Sequence, residues 1–150
     1  MSRLKSFGFL SILFATLFLG LFTLNSECRA NSPDEKEVKS VINAWLTEWN
    51  SQDKEGVLDL FSDDAGIAKG KGKKLLTKKQ YSKEVSRRLA KNKNIKAGDP
   101  IISINGETAE AVVPMKFPSL GCSADVVFLI RKYGNVCKIY RFSTKNLRKP

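Results

Sequence analysis

The stretch VKSVINAWLTEWNSQDKEGVLDLFSDDA, residues 38–65, carries the most regular apolar pattern in the chain. Its first part places apolar side chains at the spacing of one helix face: Val38, Val41, Ile42, Trp45, Leu46 and Trp49. Directly upstream, Ser32, Pro33 and Glu35 fit the N-cap, the first helical position and the glutamate of a capping box. The pattern predicts a helix that begins near Ser32. The regular spacing of both tryptophans indicates that they are core residues rather than ligand-stacking residues.

A second, shorter helix is predicted after the polar break at residues 50–53. It is indicated by a group of apolar residues, which are Val57, Leu58, Leu60 and Phe61. We expect this helix to end in an acidic turn at residues 62–64, where Asp63 and Asp64 follow a serine. A brief strand is expected near Ile67.

A third helix is predicted from an N-cap at Thr77 to about Leu89. Its apolar residues recur at every fourth position and define a packed face: Tyr81, Val85 and Leu89. A second line of side chains lies about 200° away around the helix and consists of Lys79, Lys83, Arg87 and Lys91. One face of this helix is therefore expected to pack and the other to present cations.

From Asp99 onward the apolar pattern alternates, as in strands. Two hairpins are predicted, one formed by segments 100–104 and 108–117 and the other by segments 124–131 and 136–143. Asn105-Gly106 and Gly134 supply their turns. We expect residues 144–150 to be frayed. The order of the elements predicts an α+β domain in which three N-terminal helices pack on one face of a curved antiparallel sheet.

These segments resemble the nuclear transport factor two-like, or SnoaL-like, superfamily. INAWLTEWNSQDKEGVLDLFSDDA is similar to its first two helices with the following turn, and LTKKQYSKEV is similar to its third helix. INGETAEAVVPMKF and FLIRKYGNVCKIYRF are similar to its central and closing strands, except that Cys137 stands where a tryptophan is usual. The resemblance covers residues 35–143 and implies a cone-shaped fold. Members often pair through the sheet, and enzymes of this fold use carboxylates, tyrosines or histidines that project into the cone.

The start of the chain has the layout of an export signal. Two basic residues precede an uncharged apolar run at residues 7–24. We expect cleavage after Ala30, and the small residues that such sites need are then Cys28, three positions before the cut, and Ala30, directly before it. We predict a signal peptide of residues 1–30 and a single exported domain of residues 31–150, periplasmic or secreted. The alternatives are an uncleaved N-terminal anchor and a lipid attached to Cys28. On each of these interpretations the folded domain lies outside the cytoplasm.

Cys122 and Cys137 are the cysteines of the predicted domain. Export favours a disulfide between them. The predicted hairpin, however, places Cys137 opposite Ile130, which lies about 26 Å along the strand from Cys122. A disulfide needs Cα atoms within about 7 Å of each other. We therefore predict two free thiols, with Cys137 as a buried apolar residue; a bridge would show that the hairpin is wrong.

The chain contains no histidine, which removes Ser-His and Cys-His nucleophile pairs and the usual zinc ligand sets. Side chains considered for chemistry in the cone are Asp53, Asp63, Asp64, Asp125, Tyr81 and Tyr140. Asp63 and Asp64 are better explained as turn or capping acids. Asp125 and Tyr140 are the weak catalytic candidates, Asp125 because it begins a strand whose alternate residues are apolar. No metal site and no cofactor is predicted, and GKGKK at residues 70–74 lacks the spacing of a phosphate-binding loop.

Residues 69–96 hold twelve lysines and arginines and a single acid, Glu84, so this segment alone carries +11, as much as the whole chain. Such a patch attracts polyanions. Nucleic acid is disfavoured as a partner because an exported protein rarely meets it and because Tyr81 is the only aromatic residue in the segment. We predict contact with an anionic envelope component, which is a phospholipid, lipopolysaccharide or a wall polymer, through Lys79, Lys83, Arg87 and Lys91. A solvated basic face without a specific partner is the alternative.

These patterns favour an exported, non-catalytic binding or accessory domain with a small apolar pocket inside the cone and a basic face toward the envelope. The pocket would accept a small apolar ligand. Two other classes fit the sequence. One is a small-molecule enzyme, an isomerase, dehydratase or hydrolase, that works through carboxylates or tyrosines in the cone. The other is a homodimeric interaction module. The lack of histidine favours binding over catalysis.

Overall fold

A computed structural model describes residues 32–69 and 74–149 of the chain. Its helices are α1 (Glu35–Ser51), α2 (Lys54–Asp59), α3 (Lys78–Ser82) and α4 (Val85–Lys91). Its strands are β1 (Phe61–Lys69), β2 (Lys74–Thr77), β3 (Lys96–Ala97), β4 (Ile101–Asn105), β5 (Thr108–Phe117), β6 (Cys122–Tyr133) and β7 (Val136–Arg148). The predicted signal peptide with its cleavage and lipidation positions, and most of the GKGKK stretch, lie outside the described residues.

Helix α1 begins two residues later than the sequence predicted. The carboxylate of Asp34 accepts the backbone N–H of Glu37, whose own carboxylate accepts the N–H of Asp34, and this pair forms the capping box. The predicted box at Ser32 and Glu35 is wrong, because the Ser32 hydroxyl donates instead to the carbonyl of Gly106 in a distant turn. The predicted stripe is confirmed: all of its residues are buried except Leu46, which is partly buried.

The predicted acidic turn after α2 is wrong. Residues 62–64 belong to strand β1, which starts at Phe61 and runs parallel to β7. The register of this pairing shifts between Phe61 and Gly66, so the acidic residues lie in a bulged part of the strand. The strand expected near Ile67 exists and is longer than predicted.

The third predicted helix is divided into two. Thr77 caps α3 as predicted, in a capping box with Gln80. The helix then breaks at Lys83 and Glu84. Their backbone N–H groups donate to carbonyls three residues earlier, as in a 3-10 turn, rather than four residues earlier, as in an α-helix. The packed face predicted for this segment survives the break: its apolar residues Tyr81, Val85 and Leu89 are all buried.

The sheet has the strand order β2-β1-β7-β6-β5-β3, with β4 also paired to β5. Every pair is antiparallel except β1 with β7, so the sheet is mixed rather than purely antiparallel. Both predicted hairpins are confirmed, and their turn glycines have the positive φ that such turns require, 58° at Gly106 and 60° at Gly134. The fold is therefore the predicted α+β cone, with helices on a curved sheet.

The register of the second hairpin differs from the prediction. Its turn lies at Gly134 and Asn135, so Cys137 is opposite Lys132 rather than Ile130. Cys122 lies at the other end of β6, opposite Phe117. Both cysteines are free thiols, as predicted, and Cys137 is buried.

The C-terminal tail is not frayed as far as the structure describes it. Strand β7 continues to Arg148 and pairs with β6 along this part of its length. Side chains reinforce the pairing, because Asn146 and Arg148 both donate to the carboxylate of Asp125, at 2.8 and 2.9 Å. The tail is therefore held by a partner that local sequence patterns did not identify.

An aromatic cluster fills the centre between helices and sheet. Its members are Trp45, Trp49, Phe61, Tyr81, Phe128 and Phe142, all buried. The ring centroids of neighbouring pairs lie 4.8 to 5.9 Å apart, the range of favourable aromatic contacts. These rings occupy the region where the sequence predicted a small apolar pocket. Both tryptophans are core residues, as predicted.

Candidate functional site

Three of the carboxylates considered for catalysis have structural partners. Asp53 caps α2 by accepting the backbone N–H of Gly56 at 2.9 Å. The carboxylate of Asp63 is fully exposed and lies 3.3 Å from the ammonium of Lys78. Asp64 accepts a hydrogen bond of 2.9 Å from the hydroxyl of Tyr133. Hydrogen bonds from Ser62 and then from Tyr133 hold the pKa of Asp64 below its usual value, so this group stays ionised near neutral pH.

The two weak catalytic candidates lie away from the aromatic cluster. Asp125 alternates along β6 with the buried core residues Ala124 and Val126, so its side chain is on the opposite face of the sheet. Hydrogen bonds from Asn146 and then Arg148 lower its pKa. Tyr140 sits at the β-bulge of β7, and the guanidinium carbon of Arg131 lies 4.6 Å from its ring centroid. The structure therefore gives both residues surface partners.

Tyr81 is the one tyrosine of the chain that faces the interior. Its side chain is 0% exposed, and no hydrogen-bond partner for its hydroxyl exists among the described residues. Burial raises the pKa of this phenol well above its usual value of 10. Arg88 covers its ring, with the guanidinium carbon 5.3 Å from the centroid. These features are those of a packing residue that stays protonated.

The predicted anion-contact residues are all exposed, two in or at the end of α3 and two in α4. We call this set, Lys79, Lys83, Arg87 and Lys91, the basic helix face. The break between α3 and α4 leaves all four side chains in solvent while the apolar side of the same segment remains in the core. This arrangement fixes the backbone of the cations and leaves their charged ends free to move.

Glu84 is the acid nearest to the basic helix face, and it is shared among several cations. Its carboxylate pairs with Lys69 at 2.5 Å, with Arg88 at 3.2 Å and with Arg87 at 3.8 Å. The hydrogen bond from Lys69 is the main reason that the pKa of Glu84 is lowered. Within the described ranges, no acid pairs with Lys79, Lys83 or Lys91. The face therefore keeps most of its positive charge.

In the part of the chain that the structure describes, no helix is both long enough and apolar enough to cross a membrane. No three acidic or cysteine side chains in residues 32–69 and 74–149 come together as a metal ligand set.

Sequence comparison finds no relative: no family model matches the chain, and no curated protein matches it. Solved structures do match. An NTF2-like protein from Cytophaga hutchinsonii is 18% identical and superposes with a TM-score of 0.63, over 75% of this chain and 98% of its own. A protein with a cystatin-like fold from Caulobacter vibrioides is 15% identical with a TM-score of 0.65, over 77% and 89%. An NTF2-like protein of unknown function from Methylobacillus flagellatus is 22% identical with a TM-score of 0.61, over 75% and 90%.

These likenesses are too low in sequence identity to carry over chemistry, but TM-scores of 0.61 to 0.65 show that the fold is shared. They confirm the resemblance that the sequence predicted at the level of the fold. This chain has the nuclear transport factor 2-like fold, also called cystatin-like.

Proposed function

We propose that this protein is an exported binding domain that contacts an anionic component of the cell envelope through the basic helix face. The observation that carries the proposal is the exposure of Lys79, Lys83, Arg87 and Lys91 on one side of a segment whose other side is buried. A folded segment that displays several cations, three of them without an acidic partner among the described residues, attracts polyanions and raises their rate of encounter.

Binding is favoured over catalysis because the carboxylates considered for catalysis already have structural partners. The carboxylates considered as acids or bases cap helices, form surface ion pairs or hold neighbouring strands. The interior contains aromatic rings rather than paired acids. The chain also has no histidine to act as a general base near neutral pH. The apolar pocket expected in the cone is not part of the function that we propose.

The location of the partner follows from the predicted export signal at residues 1–30. Polyanions outside the cytoplasm include phospholipid head groups, lipopolysaccharide and wall polymers. A lysine or arginine near an anionic membrane surface contributes about 1 kcal/mol to binding. Four such residues give about 4 kcal/mol, which corresponds to roughly a thousandfold increase in affinity.

The test is binding of the purified protein to vesicles that contain an anionic phospholipid, at several salt concentrations. Reversing Lys79, Lys83 and Arg87 to glutamate together removes three attractions and adds repulsion. We expect affinity to fall at least about a hundredfold. Wild-type binding should also weaken as salt shortens the Debye length from about 10 Å at 0.1 M.

A matched control changes the net charge equally on another surface, by reversing Lys36, Lys39 and Lys54 on the first two helices. This variant should lose much less affinity, because its cations are not grouped on the basic helix face. If both variants lose the same affinity, binding depends on net charge alone and the proposed face is wrong. If neither loses any, the proposal of an anionic membrane partner fails, and purified wall polymer in place of vesicles is the next arm.

A further inference from the structure

Three cations that are distant in sequence are brought into one line across four strands. Lys96 of β3 is opposite Lys116 of β5, which is opposite Ser123 of β6, which is opposite Arg148 of β7. We call this line the cationic row. Neighbouring strands lie about 4.8 Å apart, so the row extends over roughly 14 Å.

All members of the cationic row share the sheet face opposite the core. On β5 and β6 the neighbours Met115 and Ala124 are buried, so Lys116 and Ser123 lie on the opposite face. Lys96 and Arg148 are their cross-strand partners and therefore lie on that face too. Lys96, Lys116 and Arg148 are exposed. The row is therefore accessible to a ligand from solvent.

The row lines two adjoining clefts. One has a volume of about 390 Å³ and includes Lys96 with Lys116, Ser123 and Arg148. The other cleft has a volume of about 380 Å³ and is lined by Lys116, Ser123, Arg148 and Lys149. Gly98 closes the side of the first cleft, because its backbone N–H donates to the carbonyl of Pro114 at 2.8 Å and a Cβ there would meet the proline ring at 3.3 Å.

Arg148 is held in place by its neighbours. One of its guanidinium nitrogens donates to Asp125 at 2.9 Å, and another lies 3.5 Å from the hydroxyl of Ser123. A guanidinium has five N–H donors, so most of them stay available to a ligand. Asp125 neutralises part of the charge here, while Lys145 lies opposite Asp125 on β7 and adds a cation to the same face. The surface remains positive overall.

Lys96 and Lys116 are a like-charge pair directly opposite each other on adjacent strands, an arrangement that destabilises a sheet. Neither lysine has an acidic partner in residues 32–69 and 74–149. An anion bound between the two ammonium groups would be attracted by both and would offset their mutual repulsion. The positioned guanidinium of Arg148 adds the planar fork that suits phosphate oxygens.

We propose that the cationic row is a binding site for a phosphate-bearing group, with Lys96 and Lys116 as its charge partners and Arg148 as its oriented donor. The clefts have room for more than a bare phosphate, and glycerol 3-phosphate is a small probe of this chemistry. A lipid head group and a wall polymer both present this chemistry. The site uses residues other than those of the basic helix face, and it does not depend on the function proposed for that face.

The experiment is thermal unfolding of the purified protein with glycerol 3-phosphate, against sodium chloride at equal ionic strength. At a ligand concentration ten times its Kd, we expect the wild-type Tm to rise by roughly 5 °C. Lys116→Gln and Lys96→Gln should each abolish most of this rise. Without phosphate, both variants should be at least as stable as wild type, since they remove the repulsion. A purely structural role for these lysines predicts lower stability instead.

Two further arms identify the source of the phosphate and separate this proposal from the previous one. Sedimentation with phosphatidylcholine vesicles, with and without phosphatidic acid, tests a lipid source. The site is supported if the Lys116→Gln and Lys96→Gln variants respond less than wild type to one of the probes. The probe to which wild type responds then identifies the source of the phosphate. The variant with Lys79, Lys83 and Arg87 reversed should keep the glycerol 3-phosphate response even where it loses vesicle binding. Equal responses of wild type and both glutamine variants, or no wild-type response to either probe, overturn the proposal.

Discussion

Replacement of Tyr81 by phenylalanine is expected to stabilise the protein. The hydroxyl of this side chain is fully buried and has no hydrogen-bond partner among the described residues. A buried polar group without a partner costs about 1–3 kcal/mol. Removing one oxygen leaves a void of roughly 10 Å³, which costs about 0.3 kcal/mol. Phenylalanine keeps the ring that packs against Phe61 and lies under Arg88. We therefore expect the free energy of unfolding to rise by about 1 kcal/mol.

Tyr133→Phe is the matched control with the opposite sign. Its hydroxyl donates to Asp64 at 2.9 Å, and the residue is 37% exposed. Loss of this hydrogen bond should lower the free energy of unfolding by about 1 kcal/mol. Urea denaturation followed by tryptophan fluorescence measures both variants against wild type, and equal m-values would show that the two-state comparison is valid.

A loss of 1 kcal/mol or more in Tyr81→Phe would refute the reasoning. It would mean that the hydroxyl is hydrogen-bonded in solution, to water or to a small molecule inside the cone. If that partner were a small molecule, the aromatic cluster would enclose a binding site, and the enzyme class or a bound small apolar ligand would be favoured over contact through the basic helix face alone.

Three other measurements follow from the structure. Glu37→Gln should lower stability at neutral pH, because it removes the charge that pairs with Lys132 at 2.8 Å, while the amide oxygen of glutamine can still accept the N–H of Asp34. The pKa of Glu37 is lowered by these partners, Lys132 first, so its contribution is present above its usual 4.5 and is lost as the pH falls through the lower folded value. The variant should therefore lose less stability than wild type on acidification, as measured by urea denaturation from about pH 6 to about pH 3. Iodoacetamide should modify Cys122 of the folded protein before Cys137, whose pKa is raised by burial, and peptide mapping would reveal the reverse order if the hairpin register is wrong. Denaturing and native mass spectrometry of protein from its own cells should give a chain that begins after Ala30, and the native mass reports subunit number and any retained ligand; an intact N-terminus would contradict the predicted cleavage.

Local patterns in the sequence were sufficient for the elements that depend on local physics. The stripe of α1 follows from helix periodicity, and the Thr77 cap and the turns at Gly106 and Gly134 follow from the chemistry of single residues. These features form largely from neighbours within a few positions. For this reason they also sufficed to indicate the fold.

The predictions were wrong where contacts between distant segments of the chain determine the local structure. Phe61 looks like the end of a helix, but pairing with Ile139 on β7 makes it the start of a strand. The C-terminal tail looks frayed, but Asp125 holds it from a neighbouring strand. Asp125 itself looked like a pocket residue because its strand is rich in apolar alternates. On that strand both faces are partly apolar, since Val127 on the outer face is also buried, and so alternation did not reveal which face meets the core.

The two anion surfaces differ in what the sequence can reveal about them. The basic helix face belongs to one continuous segment, and a count of charges along the chain finds it. The cationic row joins Lys96, Lys116 and Arg148, which only the pairing of four strands places together.

The two surfaces also differ in how they would bind an anion. Flexible cations on a helix attract any polyanion over a Debye length, whereas a row beside clefts with an oriented guanidinium selects by shape and hydrogen bonding. Helix α4 ends at Lys91, and Lys96 lies five residues later, so the two surfaces are at most about 18 Å apart along the chain. A flexible anionic polymer that is attracted by the first surface can therefore also reach the second and be bound there at a single phosphate.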